Sequence, residues 1–277
     1  MADYLLYNDR FYPNTAALVP ADNRGLRYGD GLFETLKFAG GNILLKDWHF
    51  ERLFKGLALL QFECPVLFTP QLLSAGITRL CKKNGHTTAR VRITVFRGNG
   101  GLYDPEDHSP HCIIQSWPLP GLDFELNENG LVAGIYTAAR KSTDVFSNLK
   151  SNNYLPYAMA ALHAKKNRWN EALLLNTSGN ICDASIANIF IIKNETIYTP
   201  PLSAGCVAGV MRRFLLENLP QHGFRVEEVP VTREALMDAD ELFVTNAIRG
   251  VRWVKECENS RYSHHLVTQI FARLFKK

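Results

Sequence analysis

Apolar and polar residues alternate with two different periods along this chain, and the change of period separates strands from helices. Ala89, Val91, Ile93 and Val95 share one face of an extended segment, and Arg90, Arg92, Thr94 and Phe96 share the other, which predicts a strand with one buried face. Leu32–Phe38 alternates in the same way and ends at Gly40-Gly41, a hairpin signal that makes Ile43–Leu45 its partner. Tyr4–Tyr7 and Arg10–Tyr12 read as a short hairpin around Asn8-Asp9, and Cys112–Trp117 as a further strand. The helical period appears first in Trp48–Leu60, with apolar residues at 50, 53, 54, 57 and 60 and Asp47 placed as a cap. A second helix is expected over Thr69–Asn84, ending at Asn84-Gly85.

A stretch rich in proline, glycine and acid, residues 118–130, reads as a linker between residues 1–117 and residues 131–277. The second part opens with a strand at Leu131–Thr137 and a helix over Asn153–Lys166. A hairpin of Glu171–Asn176 with Ala187–Lys193 is expected next, around Thr177-Ser178-Gly179-Asn180. Then come a helix at Gly209–Leu219, strand Arg225–Val229, a short helix at Arg233–Met237, strand Glu241–Asn246 and a last helix at His264–Phe275. Strands and helices mix without regular alternation, so an α+β chain of two domains is favoured over a doubly wound sheet.

Composition narrows the function. The 277 residues are 46% hydrophobic and 21% charged, with a net charge of +4, as in a globular enzyme for a small anionic ligand. No long basic block speaks for nucleic acid, and no window of about 18 apolar residues speaks for a membrane span. The six cysteines are scattered with no C-x-x-C pair, and the first ten residues carry no basic and apolar leader pattern; both suggest a cytoplasmic protein with reduced thiols. No metal-ligand spacing occurs.

Several polar residues are candidates for chemistry. Lys150 stands among asparagines just before a predicted helix, and such a lysine can hold an aldehyde as a Schiff base; on local sequence alone, a solvated surface lysine is the favoured reading. Asp183 opens a turn of small residues with Ser185 and Asn188, and fits either a turn cap or a partner for a pyridinium nitrogen. Arg52 follows His49 by one helical turn and suits an anionic partner such as a phosphate, or simply snorkels over Phe50 and Leu53. Gly205-Cys206-Val207-Ala208-Gly209 runs into a helix whose first amides could cradle a phosphate. The dense segment from Asp22 to Thr35 is otherwise a tight glycine turn.

Taken in order, these segments resemble the class IV aminotransferase family, the fold-type IV pyridoxal-phosphate enzymes. This family includes D-amino acid and branched-chain aminotransferases and aminodeoxychorismate lyase. The resemblance runs from about Asp22 to Val254. It rests on Arg27-Tyr28-Gly29-Asp30-Gly31-Leu32-Phe33-Glu34, His49-x-x-Arg52-Leu53, Arg97-Gly98 and Lys150-x-x-Asn153. It continues with Asp183-x-Ser185-x-Ala187-Asn188, Gly209-Val210-Met211-Arg212 and Asp240–Asn246.

The resemblance implies a two-domain fold with pyridoxal 5'-phosphate in the cleft between domains, and a homodimer. It makes Lys150 the catalytic lysine and Asp183 the ring-nitrogen acid. Arg52 and the amides of Val210 and Met211 become phosphate ligands, Val207 packs on the ring, and Asn188 joins the cofactor site. Substrates would be amino acids and 2-oxo acids. Tyr28, Arg27, Arg97 and Arg249 are the substrate-binding candidates, with Arg90 and Arg92 behind them.

This chain departs from the family at several points. Asp183 replaces the usual glutamate, Met211 a common threonine, and Ala247 a frequent hydroxyl residue. Leu102 and Asp104 stand where D-amino acid aminotransferases carry an arginine and a histidine. The activity expected is amino transfer through Lys150. Release of 4-aminobenzoate and pyruvate by a lyase is the alternative, and a non-catalytic ligand-binding member of the fold is the third reading.

Overall fold

The computed structural model describes residues 3–276. The chain forms two compact units: one holds the chain up to Leu122 together with Leu149–Tyr154, and the other holds Asp123–Asn148 and the chain from Leu155 onward.

The first unit contains β1 (Tyr4–Tyr7), β2 (Arg10–Pro13), α1 (Arg24–Tyr28), β3 (Gly31–Ala39), β4 (Asn42–Ile43), α2 (Lys46–Leu59), α3 (Pro70–Lys83), β5 (Thr88–Arg97) and β6 (Pro110–Pro118). The strands form one antiparallel sheet in the order β2-β1-β6-β5-β3-β4. Ala89, Val91, Ile93 and Val95 are all fully buried, so the alternation in the sequence sets the face of β5 correctly. They join Leu32, Leu36 and Phe38 of β3, Phe50, Leu53 and Leu57 of α2, and Ile77 and Leu80 of α3 in one core. Each of the larger side chains contributes roughly 1.5–3 kcal/mol by leaving water. Thr69 caps α3 through its hydroxyl, with Pro70 in the first turn.

The second unit contains β7 (Leu131–Lys141), α4 (Leu155–Lys166), β8 (Glu171–Asn176), β9 (Ile181–Ala184), β10 (Asn188–Lys193), β11 (Thr196–Thr199), α5 (Val210–Asn218), β12 (Arg225–Glu228), α6 (Arg233–Met237), β13 (Glu241–Asn246), β14 (Gly250–Cys257), β15 (Ser260–Arg261) and α7 (His265–Phe275). Its mixed sheet runs β12-β11-β10-β13-β14-β7-β8-β9, with β15 on β14. Pairing is parallel at β11/β12, β14/β7 and β7/β8 and antiparallel elsewhere. Glu241 ties α7 to this sheet, because its carboxylate accepts from the Leu266 and Val267 amides at 2.8 and 2.9 Å.

Three expectations change. The chain after Thr177–Asn180 returns into β9, so β8 pairs with Ile181–Ala184, while β10 pairs with β11 and β13. Every residue of β8 and β9 is buried, so no polar face marks where one strand stops. β14 is a full strand that the sequence reading passed over. Leu149–Tyr154 belongs with the first unit and not with residues 131–277, because its backbone pairs with β3. The Phe33 amide donates to the Lys150 carbonyl and the Asn152 amide to the Gly31 carbonyl, each at 2.9 Å. Among the described residues, no helix is long and apolar enough to cross a membrane.

Candidate active site

Lys150 is held from its backbone outward. Besides the two amide bonds, Leu32 and Ser151 form an antiparallel bridge, and Asn152 Nδ2 donates to the Val95 carbonyl at 3.2 Å. Gly31 makes this approach possible: a Cβ there would lie 2.1 Å from the Val95 oxygen and 2.6 Å from Asn152 Nδ2. The half-buried Lys150 ammonium stands 4.4 Å from the centre of the Phe33 ring and 5.5 Å from that of Tyr154. These two rings meet edge to face, with centroids 5.2 Å apart. Arg92 shares the Phe33 ring, its Cζ 3.8 Å from the centroid, and its Nε donates to Thr94 Oγ1 at 3.1 Å. Arg92 was only a reserve candidate in the sequence, yet it is the cation that shares an aromatic ring with Lys150.

Arg52 comes from α2 and meets Glu34 of β3 side-on. Its Nε donates to Glu34 Oε1 at 2.8 Å and its Nη2 to Oε2 at 2.5 Å. His49, one turn earlier, places Nδ1 2.7 Å from Glu34 Oε2. Burial alone would raise the Glu34 pKa, but the Arg52 charge, the His49 hydrogen bond and the remaining contacts to both partners outweigh it and lower the pKa to about 2. Burial lowers the His49 pKa against the pull of Glu34, so the ring is neutral with its proton on Nδ1. In the sequence Glu34 stands only as one member of the Arg27–Glu34 motif. The signal was there: Leu32-x-Glu34-x-Leu36-x-Phe38 puts a carboxylate on an apolar face.

Asp183 is not a turn cap. It lies in β9, 1% exposed, with its carboxylate surrounded by donors. Oδ2 accepts from the Tyr157 hydroxyl and the Val207 amide, both at 2.8 Å, and Oδ1 from Asn188 Nδ2 at 3.0 Å. Asn188 also donates to the Val207 carbonyl at 2.9 Å, which fixes Val207 and Asp183 together. A buried second lysine, Lys141, sits 3.6 Å from Asp183 Oδ2 and donates to the Ser147 carbonyl at 2.8 Å and to the Gly205 carbonyl. Sequence reading missed Lys141 and Tyr157, since neither stands in a motif beside Asp183.

Val207 leads into Gly209, which enters α5 in an extended conformation with no side-chain cap on the helix. A Cβ on Gly209 would lie 1.7 Å from Asn188 Oδ1, so this position holds the loop against Asn188. Val210 and Met211 are buried in the first turn, where backbone amides point out of the helix. Among the described residues, His49 Nε2 and Arg212 Nε are the buried side-chain polar atoms without a hydrogen-bond partner. Taken by itself, the first unit carries a lysine and an arginine, groups that suit an aldehyde and a phosphate. The second carries a buried carboxylate and an uncapped helix start, groups that suit a basic ring nitrogen and a phosphate.

The substrate candidates separate. Arg27 and Arg249 are exposed and Tyr28 is half-buried. Arg97 is 5% exposed and committed elsewhere: Nε donates to Asp30 at 3.0 Å, Nη1 to the Gln61 carbonyl at 3.1 Å and Nη2 to the Leu60 carbonyl. Arg24, not considered in the sequence, shares Asp30 with it at 3.0 Å and donates to the Leu102 and Tyr103 carbonyls. Through the shared Asp30, Arg24 ties down the loop after β5 and Arg97 the chain just after α2.

The family model for amino-transferase class IV matches residues 31–257, and the chain belongs to that family. An aminodeoxychorismate lyase of Vibrio harveyi is 30% identical over 84% of this chain and 85% of its own length. A branched-chain-amino-acid aminotransferase of Pseudomonas aeruginosa is 28% identical over 85% of this chain and 78% of its own length. A T.th. branched-chain amino acid aminotransferase solved with pyridoxamine 5'-phosphate has the same fold, with a TM-score of 0.84 at 24% identity over 94% of this chain and 88% of that one.

Proposed function

We propose that this chain is a pyridoxal-phosphate-dependent aminotransferase that moves an amino group between an amino acid and a 2-oxo acid. Bound pyridoxal phosphate supplies an electron sink for the carbanion at the substrate Cα. Lys150 holds the aldehyde end and carries the proton to and from Cα, with Phe33 and Tyr154 limiting its swing. Asp183 keeps the ring nitrogen protonated, and Tyr157, Asn188, Lys141 and the Val207 amide fix its oxygens. Arg52 and the Val210 and Met211 amides bind the phosphate, and Val207 packs on the ring. Arg92 receives the substrate carboxylate. Arg27, Arg249 and Tyr28 serve as outer contacts, and Arg97 holds Asp30 and the chain after α2. Holding Cα at a fixed distance from the lysine is the main contribution of such a scaffold.

The observation that carries this reading is that Lys150 and Arg92 both stand against the Phe33 ring, 4.4 and 3.8 Å from its centre, in a chain of this family. An amino acid requires a base for its Cα proton and a cation for its carboxylate. The test is spectroscopic. Wild-type protein with pyridoxal phosphate should show a band at the visible edge that single amino acids bleach, and Lys150→Ala should lack it. A colourless wild type that gains no band returns the non-catalytic binding module.

The lyase reading is favoured by the Arg97-Gly-Asn-Gly-Gly run and by the Vibrio harveyi relative. Formation of 4-aminobenzoate from aminodeoxychorismate, without amino transfer, would replace our reading with it. The assembly we propose is a cytoplasmic homodimer, supported by the exposed Leu155, Met159 and Leu162 along one face of α4. Sedimentation of the purified chain as a monomer would reject the dimer.

A further inference from the structure

A carboxylate in the middle of an apolar strand face is costly, and Glu34 is one. It sits between Leu32 and Leu36 on the face of β3 that packs against α2, and it is 1% exposed. Apolar residues of similar volume in place of a buried ion pair often leave a protein equally or more stable, so packing alone does not call for Glu34. Its contacts are specific instead. The carboxylate takes Nε and Nη2 of Arg52 at 2.8 and 2.5 Å, a side-on fork that fixes the guanidinium plane and turns Nη1 away from Glu34. His49 adds a third donor to the same carboxylate at 2.7 Å. His49 is itself 1% exposed, with Nε2 buried and unpartnered, so it is committed to Glu34 through a single bond. As a neutral donor, it steadies Glu34 without adding a second cation to compete with Arg52.

We infer that Glu34, steadied by His49, is the positioning residue that sets the orientation of Arg52 for the phosphate of the cofactor. The inference rests on the reading of Arg52 as a phosphate cation. Glu34 touches no reacting atom. It fixes one long side chain whose rotamer freedom would otherwise be lost on binding. His49-x-x-Arg52 is then one device: the helical spacing brings both side chains to the one carboxylate that β3 presents.

The experiment separates orientation from stability. The full chain, stripped of cofactor, is titrated with pyridoxal phosphate and with pyridoxal, which lacks the phosphate, and the visible band is followed. Glu34→Gln keeps the shape and one acceptor oxygen but loses the charged fork. Its dissociation constant for pyridoxal phosphate should rise about 10- to 100-fold, the usual cost of removing an orienting partner, while that for pyridoxal stays within about 3-fold of wild type.

Equal loss for both ligands, or loss for neither, overturns the inference. Should Glu34→Gln not fold, Glu34→Asp keeps the charge and withdraws the oxygens by one methylene; it must show the same selective loss, and an unchanged ratio overturns the inference as well. A wild-type chain that binds neither ligand removes the cofactor reading itself. A wild type that prefers the phosphorylated ligand beside a variant that prefers it equally removes only the role of Glu34.

Discussion

Replacing Arg52 with methionine takes the principal countercharge from a carboxylate that is 1% exposed. In the native protein that carboxyl titrates at about 2 against an ordinary value of 4.5. The difference is worth about 3 kcal/mol of folding stability near neutral pH, at roughly 1.4 kcal/mol per unit. Because the folded value is depressed, this stability is present above pH 4.5 and is lost as the pH falls towards 2.

In Arg52→Met the carboxylate stays buried while its charge loses Arg52, and the cost at pH 7 should be about 3–5 kcal/mol. The pH dependence should also reverse. Burial now pushes the Glu34 carboxyl above its unfolded value, so the variant should regain stability as the pH is lowered from 7 towards 5, where wild type gains nothing from this group. Urea denaturation followed by tryptophan fluorescence at pH 7 and pH 5 measures both effects, and Trp48 and Trp117 report from the unit that holds the pair. A loss below about 1 kcal/mol at pH 7, with no recovery at pH 5, would refute the account of a charge buried for Arg52. The double variant Arg52→Met with Glu34→Gln should recover most of the loss, since no unpaired charge remains.

Two further outcomes follow from the geometry. Arg92→Met should raise KM for a 2-oxo acid about 10- to 100-fold, with a smaller change in kcat and an unaltered cofactor band, as expected when one charged hydrogen bond is removed; steady-state kinetics with the purified enzyme decide it. Glu241→Ala removes the carboxylate that accepts the Leu266 and Val267 amides, so α7 should fray at a cost of about 1–2 kcal/mol, and hydrogen exchange at those amides should accelerate while that of β5 does not.

The sequence by itself determined the face of every strongly alternating strand and the existence of the main helices. Ala89 through Val95 shows why: a period of two along a half-buried sheet is dictated by side-chain direction, with no help from distant residues. The order of motifs also sufficed to place the chain in its family. Where both faces of a strand are buried, as in β8 and β9, the pattern vanished, so the turn after β8 was joined to the wrong strand; β14 was passed over as well.

The site residues divide in the same way. Lys150, Arg52 and Asp183 were legible as residue types in suggestive surroundings, but their partners were not. Glu34 lies 18 positions before Arg52 and Tyr157 lies 26 before Asp183, and only a fold brings such pairs within hydrogen-bond distance. In the sequence Arg97 ranked ahead of Arg92; tertiary contacts committed the first to Asp30 and set the second over Phe33, the ring that Lys150 also approaches. Even the unit that carries the lysine was a tertiary decision, made by the amide bonds between Leu149–Tyr154 and β3. Local chemistry names the candidates, and the company each keeps is set by backbone pairing and burial, which act across the whole chain.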